Sequence, residues 1–236
     1  ASTAWLQNAL EISQQLNDTY RMIGIWNNLS LDRFTSGDWT GAIEAGEQAL
    51  ALAERTGSPR RQVELHLNLG AILLRFGAGQ AAFQDLQDGL ALARQGKIRR
   101  AELIAYINLA ELHLYWNDLT TAASLLDNAE SLAEELQARF HLPEVWRLRA
   151  LLRLAQQEPG AAVLVARQSV ALTQELGLDL EEGMSLRVLG QALLAAGSPA
   201  EALTAFEQSL ARLDGRDPYE AARAKAAWGR ALLAAA

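Results

Sequence analysis

Small residues recur along this chain at one fixed interval, and that interval constrains the fold more than any other feature. Gly37, Gly77, Asn117, Gln157 and Gly197 are each separated by 40 residues. Ser30, Gly70, Ala110, Ala150 and Gly190 keep the same step, and Gly229 follows one residue early. A third ladder runs through Ala42, Ala82, Ala122, Ala162 and Ala202, and a fourth through Ala9, Ala49, Gly89, Ala129, Ser169 and Ser209. Several ladders in one register mean one structural unit repeated. Such a unit buries its apolar face only against its neighbours. Counting domains by length therefore says little about these 236 residues.

The unit is clearest from Asn28 to Gly57, which reads as two amphipathic helices joined at Ser36-Gly37-Asp38. Half the residues are apolar. Ala and Leu dominate them, and β-branched and aromatic residues are few, which favours helix. In order, a single helix over 3–17 is a second helix without its first, and Asn17-Asp18-Thr19 breaks the chain. Repeats follow at about 19–57, 58–97, 98–138, 139–178 and 179–216, and a last single helix spans 217–236. Asp38 caps one helix and Gly57 ends it in a left-handed conformation. Ser58-Pro59 starts another with Pro at its first position, and Asn117 tolerates positive φ in place of Gly. Ser198-Pro199-Ala200-Glu201 and Asp217-Pro218-Tyr219-Glu220 read as capping boxes. The last helix exposes Tyr219, Trp228, Leu232 and Leu233. The expected fold is all-α, an α-solenoid of about 12 helices in antiparallel pairs.

The spacing inside the unit resembles the tetratricopeptide (TPR) repeat in a long-helix form. Asn28-Leu29-Ser30, Asn68-Leu69-Gly70 and Asn108-Leu109-Ala110 stand where that family carries Asn-Leu-Gly. Ala42 and Ala49 stand at its small positions, Trp39 at its aromatic position after the turn, and Trp26 and Trp146 on its first-helix Trp. The family's first-helix tyrosine is replaced by Arg33, Leu73, His113, Arg153 and Leu193, and its repeat-ending proline by a longer second helix. The resemblance implies a right-handed TPR-like solenoid whose first helices line a concave groove.

Composition and motifs argue against other classes. The formal charge is −7 with no basic block, so direct nucleic-acid binding is not expected. There is no Cys, hence no disulfide or thiolate metal site. No apolar run reaches membrane-spanning length and no signal peptide is visible, so the expected location is cytoplasmic. His66, His113 and His141 lie in different repeats without a second ligand at metal spacing. Gly77-x-Gly79 follows no strand and precedes no phosphate-loop Lys, so it is a turn. Glu134-Glu135 and Glu181-Glu182 read as solvated helix faces. No catalytic residue, metal or cofactor is expected, and the chain reads as no enzyme. Arg60-Arg61 and Lys97-Arg99-Arg100 fall at equivalent junctions, either as exposed junction residues or as a small anion- or partner-docking edge.

By register, the concave face implied by the resemblance takes Asn27, Asn28, Leu31 and Phe34 from the first full repeat. The second contributes Leu67, Asn68, Ala71 and Arg75, and the third Ile107, Asn108, Glu111 and Tyr115. The fourth contributes Arg147, Leu151 and Leu154, and the fifth Arg187, Gln191 and Leu194. Asn28, Asn68 and Asn108 form an amide ladder suited to a peptide backbone, or are simply what the repeat favours there. Arg147 and Arg187 are placed to take an acidic group. The expected function is a non-catalytic scaffold for a protein or peptide partner. The long-helix form is similar to the TPR arms of large bacterial LuxR-type, maltose-activator-like and antibiotic-regulatory transcriptional activators. That implies a sensor or interaction arm of a larger regulator, and mid-repeat ends without an initial Met fit an excised piece. The alternatives are a small-molecule (sugar-like) inducer receptor, with Trp and Tyr lining the groove, and a stand-alone peptide adaptor. Uncapped ends also suggest end-to-end self-association.

Overall fold

The computed structural model describes residues 2–235, with side chains placed for 5–233. Among these residues there are twelve α-helices, one 3-10 turn and no strand. The Cα packing divides into two compact units, Ala1–Leu112 and His113–Ala236. Unit 1 contains α1 (Ser2–Gln15), α2 (Thr19–Ser36), α3 (Trp39–Arg55), α4 (Pro59–Phe76), α5 (Gly79–Gln95) and most of α6 (Arg99–Tyr115). Unit 2 contains α7 (Leu119–Glu135), the 3-10 turn Arg139–His141, α8 (Leu142–Ala155), α9 (Pro159–Leu176), α10 (Asp179–Ala195), α11 (Pro199–Leu213) and α12 (Pro218–Ala235). From α1 to α5 each helix packs on the next along the chain. The same holds from α7 to α12, where α8 also touches α10 and α10 touches α12.

The turns keep a beat twice as fine as the sequence ladders. Positive φ occurs at Asn17, Gly37, Gly57, Gly77, Lys97, Asn117, Gln137, Gln157, Gly177 and Gly197, a step of 20, and again at Gly215. These residues close the helices before them. The Gly37 N–H donates to the Phe34 carbonyl and the Asp38 N–H to the Arg33 carbonyl, at 3.1 and 2.9 Å. The same pair of bonds recurs at Asn117-Asp118 and Gln157-Glu158, satisfying carbonyls that the helix end leaves orphaned. The starts are less regular. Asp18, Asp38 and Asp118 accept from the backbone N–H three residues on, at 3.1, 3.1 and 3.2 Å. Ser58 and Ser198 make no side-chain cap. Both expected capping boxes are incomplete. Asp217 accepts the Glu220 N–H at 3.0 Å, but Glu220 pairs with arginines and Glu201 with Arg167.

The ladders mark where helices cross. Ala42, Ala82, Ala122, Ala162 and Ala202 are all fully buried. A Cβ added at Gly70 would lie 2.7 Å from Leu86, and one at Gly190 2.7 Å from the Phe206 ring. The large side chain of one helix fills the gap left by the small residue of its partner, as dense packing requires. Two ladder serines add hydrogen bonds at the crossing. Ser169 donates to the Pro143 carbonyl and Ser209 to the Gly183 carbonyl, each at 2.7 Å. Donors and acceptors alike are one repeat apart. Tyr219 and Trp228 are half-buried rather than exposed, with Trp228 packed on the core of unit 2. Leu232 and Leu233 are exposed, as are Trp5, Ile12 and Leu16 of α1.

Candidate functional site

Among the depressions over first helices of the repeat, one in each unit takes in residues of the expected groove. That in unit 1 has a volume of about 180 Å³ and is lined by Leu31 and Phe34 of α2, Asn68, Ala71, Ile72, Leu74 and Arg75 of α4, and Asn108 and Glu111 of α6. Its floor is aliphatic with one ring, and its walls are amide, guanidinium and carboxylate. The Arg75 guanidinium lies 5.7 Å from the Phe34 ring centre, a cation–π distance, and Phe34 meets Trp39 edge-on at 5.3 Å. The Asn68 amide donates to Oδ1 of Asn27 at 3.1 Å, and Asn27 in turn points its amide at Glu64. This relay fixes Asn68 while leaving its carbonyl oxygen available. Among the described residues the Asn108 side chain makes no hydrogen bond.

The depression in unit 2 is larger, about 450 Å³, and differs in chemistry. Leu151 and Leu154 of α8, Leu194 and Ala195 of α10, Phe206 of α11 and Ala227 of α12 make it apolar; Gln191 and Arg230 are its polar side chains. Gln191 Oε1 is buried without a hydrogen-bond partner. Neither depression is lined by Trp or Tyr, although the sequence reading placed both along the groove for a sugar-like ligand.

Of the residues expected in the groove, Leu31, Phe34, Asn68, Ala71, Arg75, Asn108 and Glu111 come together in unit 1, and Leu151, Leu154, Gln191 and Leu194 in unit 2. Asn28 is exposed outside the depression, and the amide ladder therefore contributes two rungs to it. Tyr115 is exposed at the end of α6, in unit 2. Arg147 and Arg187 stand elsewhere than a groove wall. Both are 1% exposed. Arg147 faces Glu144 and Glu181, at 3.4 and 3.8 Å, and Arg187 faces Glu220 at 3.0 Å. They occupy the register position filled by Leu67 and Ile107, which is buried in every repeat. The chain's own carboxylates already neutralise them, as a buried charge requires. The reading of Glu181-Glu182 as a solvated face is likewise corrected. Glu182 is buried, held by Arg212 through two contacts of 2.9 and 3.3 Å.

The remaining polar constellations are inward-looking. His66 Nδ1 lies 2.8 Å from Asp85, and His113 Nδ1 lies 3.0 Å from Asp118. Arg61 donates to Glu64 and stacks over Tyr20, and Arg99 pairs with Glu102, which favours the junction reading of these two arginines. Among the described residues no three His, Cys, Asp or Glu gather as a metal site, and no helix is long and apolar enough to cross a membrane. Sequence reasoning missed Ile72 and Leu74 in unit 1, and Ala195, Phe206, Ala227 and Arg230 in unit 2. The signal for Arg230 was available, since the one-residue offset of Gly229 places it on the column Leu31, Ala71, Glu111, Leu151 and Gln191.

The family model for the tetratricopeptide repeat matches residues 21–95, from α2 to α5. No curated protein matches the sequence. Several solved structures share the fold. BtubC (BKLC) from P. vanneervenii superposes with a TM-score of 0.70 at 17% identity, covering 92% of each chain. The TPR-like repeats of a putative kinesin light chain from P. anserina give 0.59 at 20% identity, over 80% of this chain and 92% of that one. A Signal Transduction ATPase with Numerous Domains (STAND) protein with a tetratricopeptide repeat sensor, from Pyrococcus horikoshii, gives 0.65 at 11% identity, with 99% of this chain matching 37% of that one. The fold is thus a TPR-like helical solenoid.

Proposed function

We propose that this chain is a non-catalytic TPR scaffold that holds an extended peptide segment of a protein partner in the depression over α2, α4 and α6. The observation that carries the reading is the convergence of Asn68 and Asn108 above the apolar floor of Leu31, Phe34 and Leu74. An extended backbone offers a donor and an acceptor at regular intervals, and each Asn supplies both. A single such bond contributes only about 0.5–1.5 kcal/mol net, so the apolar floor must supply much of the affinity. Arg75 and Glu111 add charge of both signs at the rim, which favours a peptide with mixed polar side chains over a uniformly charged one.

Within this reading the chain is the interaction arm of a larger regulator, of the kind the long-helix TPR resemblance implies. The STAND neighbour, in which a TPR sensor forms part of a much longer protein, supports that placement. Selection of a random displayed peptide library on the whole chain tests the proposal. Selected peptides should protect amides of α2, α4 and α6 from hydrogen exchange and lose binding when Phe34→Asp spoils the floor. Peptides that bind with full affinity to the Phe34→Asp chain, protecting other helices, would overturn it.

A further inference from the structure

The two units carry the same repeat but offer their ligands different chemistry. In unit 1 the positions two before the small ladder are Asn28, Asn68 and Asn108, and the last two line the depression. The equivalent positions in unit 2 are Leu148, Val188 and, with the one-residue offset, Ala227; they are buried and apolar. Unit 2 therefore has no row of amides for an extended backbone. It has a hydrocarbon-lined depression of about 450 Å³, within the roughly 300–1,000 Å³ typical of small-molecule sites.

The charge at its rim is equally particular. The other cations of unit 2 are paired with carboxylates: Arg139 with Glu175, Arg147 with Glu144 and Glu181, Arg149 with Asp127 and Glu130, Arg153 with Glu158 and Arg167 with Glu201. Arg187 and Arg223 pair with Glu220, Arg212 with Glu182, Arg216 with Asp179 and Lys225 with Asp214. Arg230 alone among the described arginines and lysines of this unit has no carboxylate partner, and it lines the apolar depression. A unit with more acidic than basic residues that leaves one guanidinium unpaired beside a hydrocarbon surface is complementary to an amphiphilic anion.

We propose that the depression of unit 2 binds a small free carboxylic acid with an aliphatic body. The body lies on Leu151, Leu154, Leu194 and Ala195, and the carboxylate pairs with Arg230, whose planar fork matches it. This site is independent of the peptide groove in unit 1, so either assignment can fail without the other.

The test is calorimetric titration of the whole chain with octanoate, and with 1-octanol as the uncharged counterpart. Octanoate should bind once per chain, about tenfold more tightly than octanol, the worth of one charge-assisted contact, with an affinity that falls as salt rises. Arg230→Gln, an exposed position, should bring octanoate down to the octanol level and leave octanol unchanged. Leu154→Asp should abolish both while the helical circular-dichroism signal persists. Equal binding of the two probes, indifference of octanoate to Arg230→Gln, or no octanoate binding would each overturn the assignment. So would an amidated peptide or one ending in a free leucine carboxylate that binds this site more tightly than octanoate, which would give the site to a partner chain.

Discussion

Arg187 of α10 and Glu220 of α12 face each other inside unit 2, with guanidinium and carboxylate 3.0 Å apart and both side chains 1% exposed. Arg223 adds a second contact to the same carboxylate at 2.8 Å. The pair ties the last helix to the repeat before it. Removing one partner strands a buried charge and should cost about 3–5 kcal/mol, whereas an apolar pair of similar volume is often neutral or better. Chemical denaturation should therefore show a large loss for Glu220→Leu alone and recovery of most of it in Arg187→Met/Glu220→Leu. An additive double mutant would show that the pair does not carry the docking of α12.

Two glycines of one ladder should respond in opposite directions. At Gly190 an added Cβ meets the fully buried Phe206 ring, while at Gly229 it meets nothing within 4 Å. Gly190→Ala should destabilise by about 1–3 kcal/mol through overpacking. Gly229→Ala should stabilise by up to about 1 kcal/mol, because Ala loses less backbone freedom in a helix. Melting temperatures of the two variants check both signs.

Lys97 and Gln157 hold left-handed φ values of 53° and 61° at turns whose equivalents include Gly57 and Gly177 for the first and Gly37, Gly77 and Gly197 for the second. The left-handed region costs a residue with a Cβ roughly 1–2 kcal/mol. Allowing for the greater freedom of glycine in the unfolded chain, Lys97→Gly and Gln157→Gly should each raise stability by a few tenths to about 1 kcal/mol. Urea midpoints that fall in both variants would contradict the assignment of these turns.

The Asp118 carboxyl is held below its ordinary value of 3.8 because the Thr121 hydroxyl and backbone N–H donate to it, with His113 adding a smaller contribution. A lowered folded value means that this contribution is fully present above the ordinary aspartate range. It is lost as pH falls through the folded value. Asp118→Asn keeps a capping oxygen but no longer titrates there. Its urea midpoint should fall less steeply than that of the unmodified chain as pH drops below about 4. Identical acid limbs would contradict the prediction.

Much of the architecture was legible because it is repeated. A small residue every 40 positions marks a helix crossing whether or not its partner is known, and the structure places Phe206 on Gly190 and Leu86 on Gly70 accordingly. The finer beat of 20 was partly hidden, since Lys97 and Gln137 carry no turn signal of their own. The groove was harder to read. Register places a residue on a helix, but the pairing of one charge with another depends on how adjacent repeats meet. Arg147 and Arg187 read as groove residues by position, yet Glu181 and Glu220 from the following repeats reach them first. Asn68, by contrast, lines its depression because its neighbour Asn27 holds it in place.

The most direct test of the peptide groove compares binding with stability in the same variants. For a peptide selected on the whole chain, Asn108→Ala and Asn68→Ala should each raise Kd by about twofold to tenfold, the worth of one net hydrogen bond. Asn108→Ala should leave the melting temperature nearly unchanged, since its side chain has no hydrogen bond to lose among the described residues. If the peptide instead binds both variants as tightly as the unmodified chain, while Asn108→Ala lowers stability by more than about 1 kcal/mol, the amides serve the fold and the peptide-groove account is wrong.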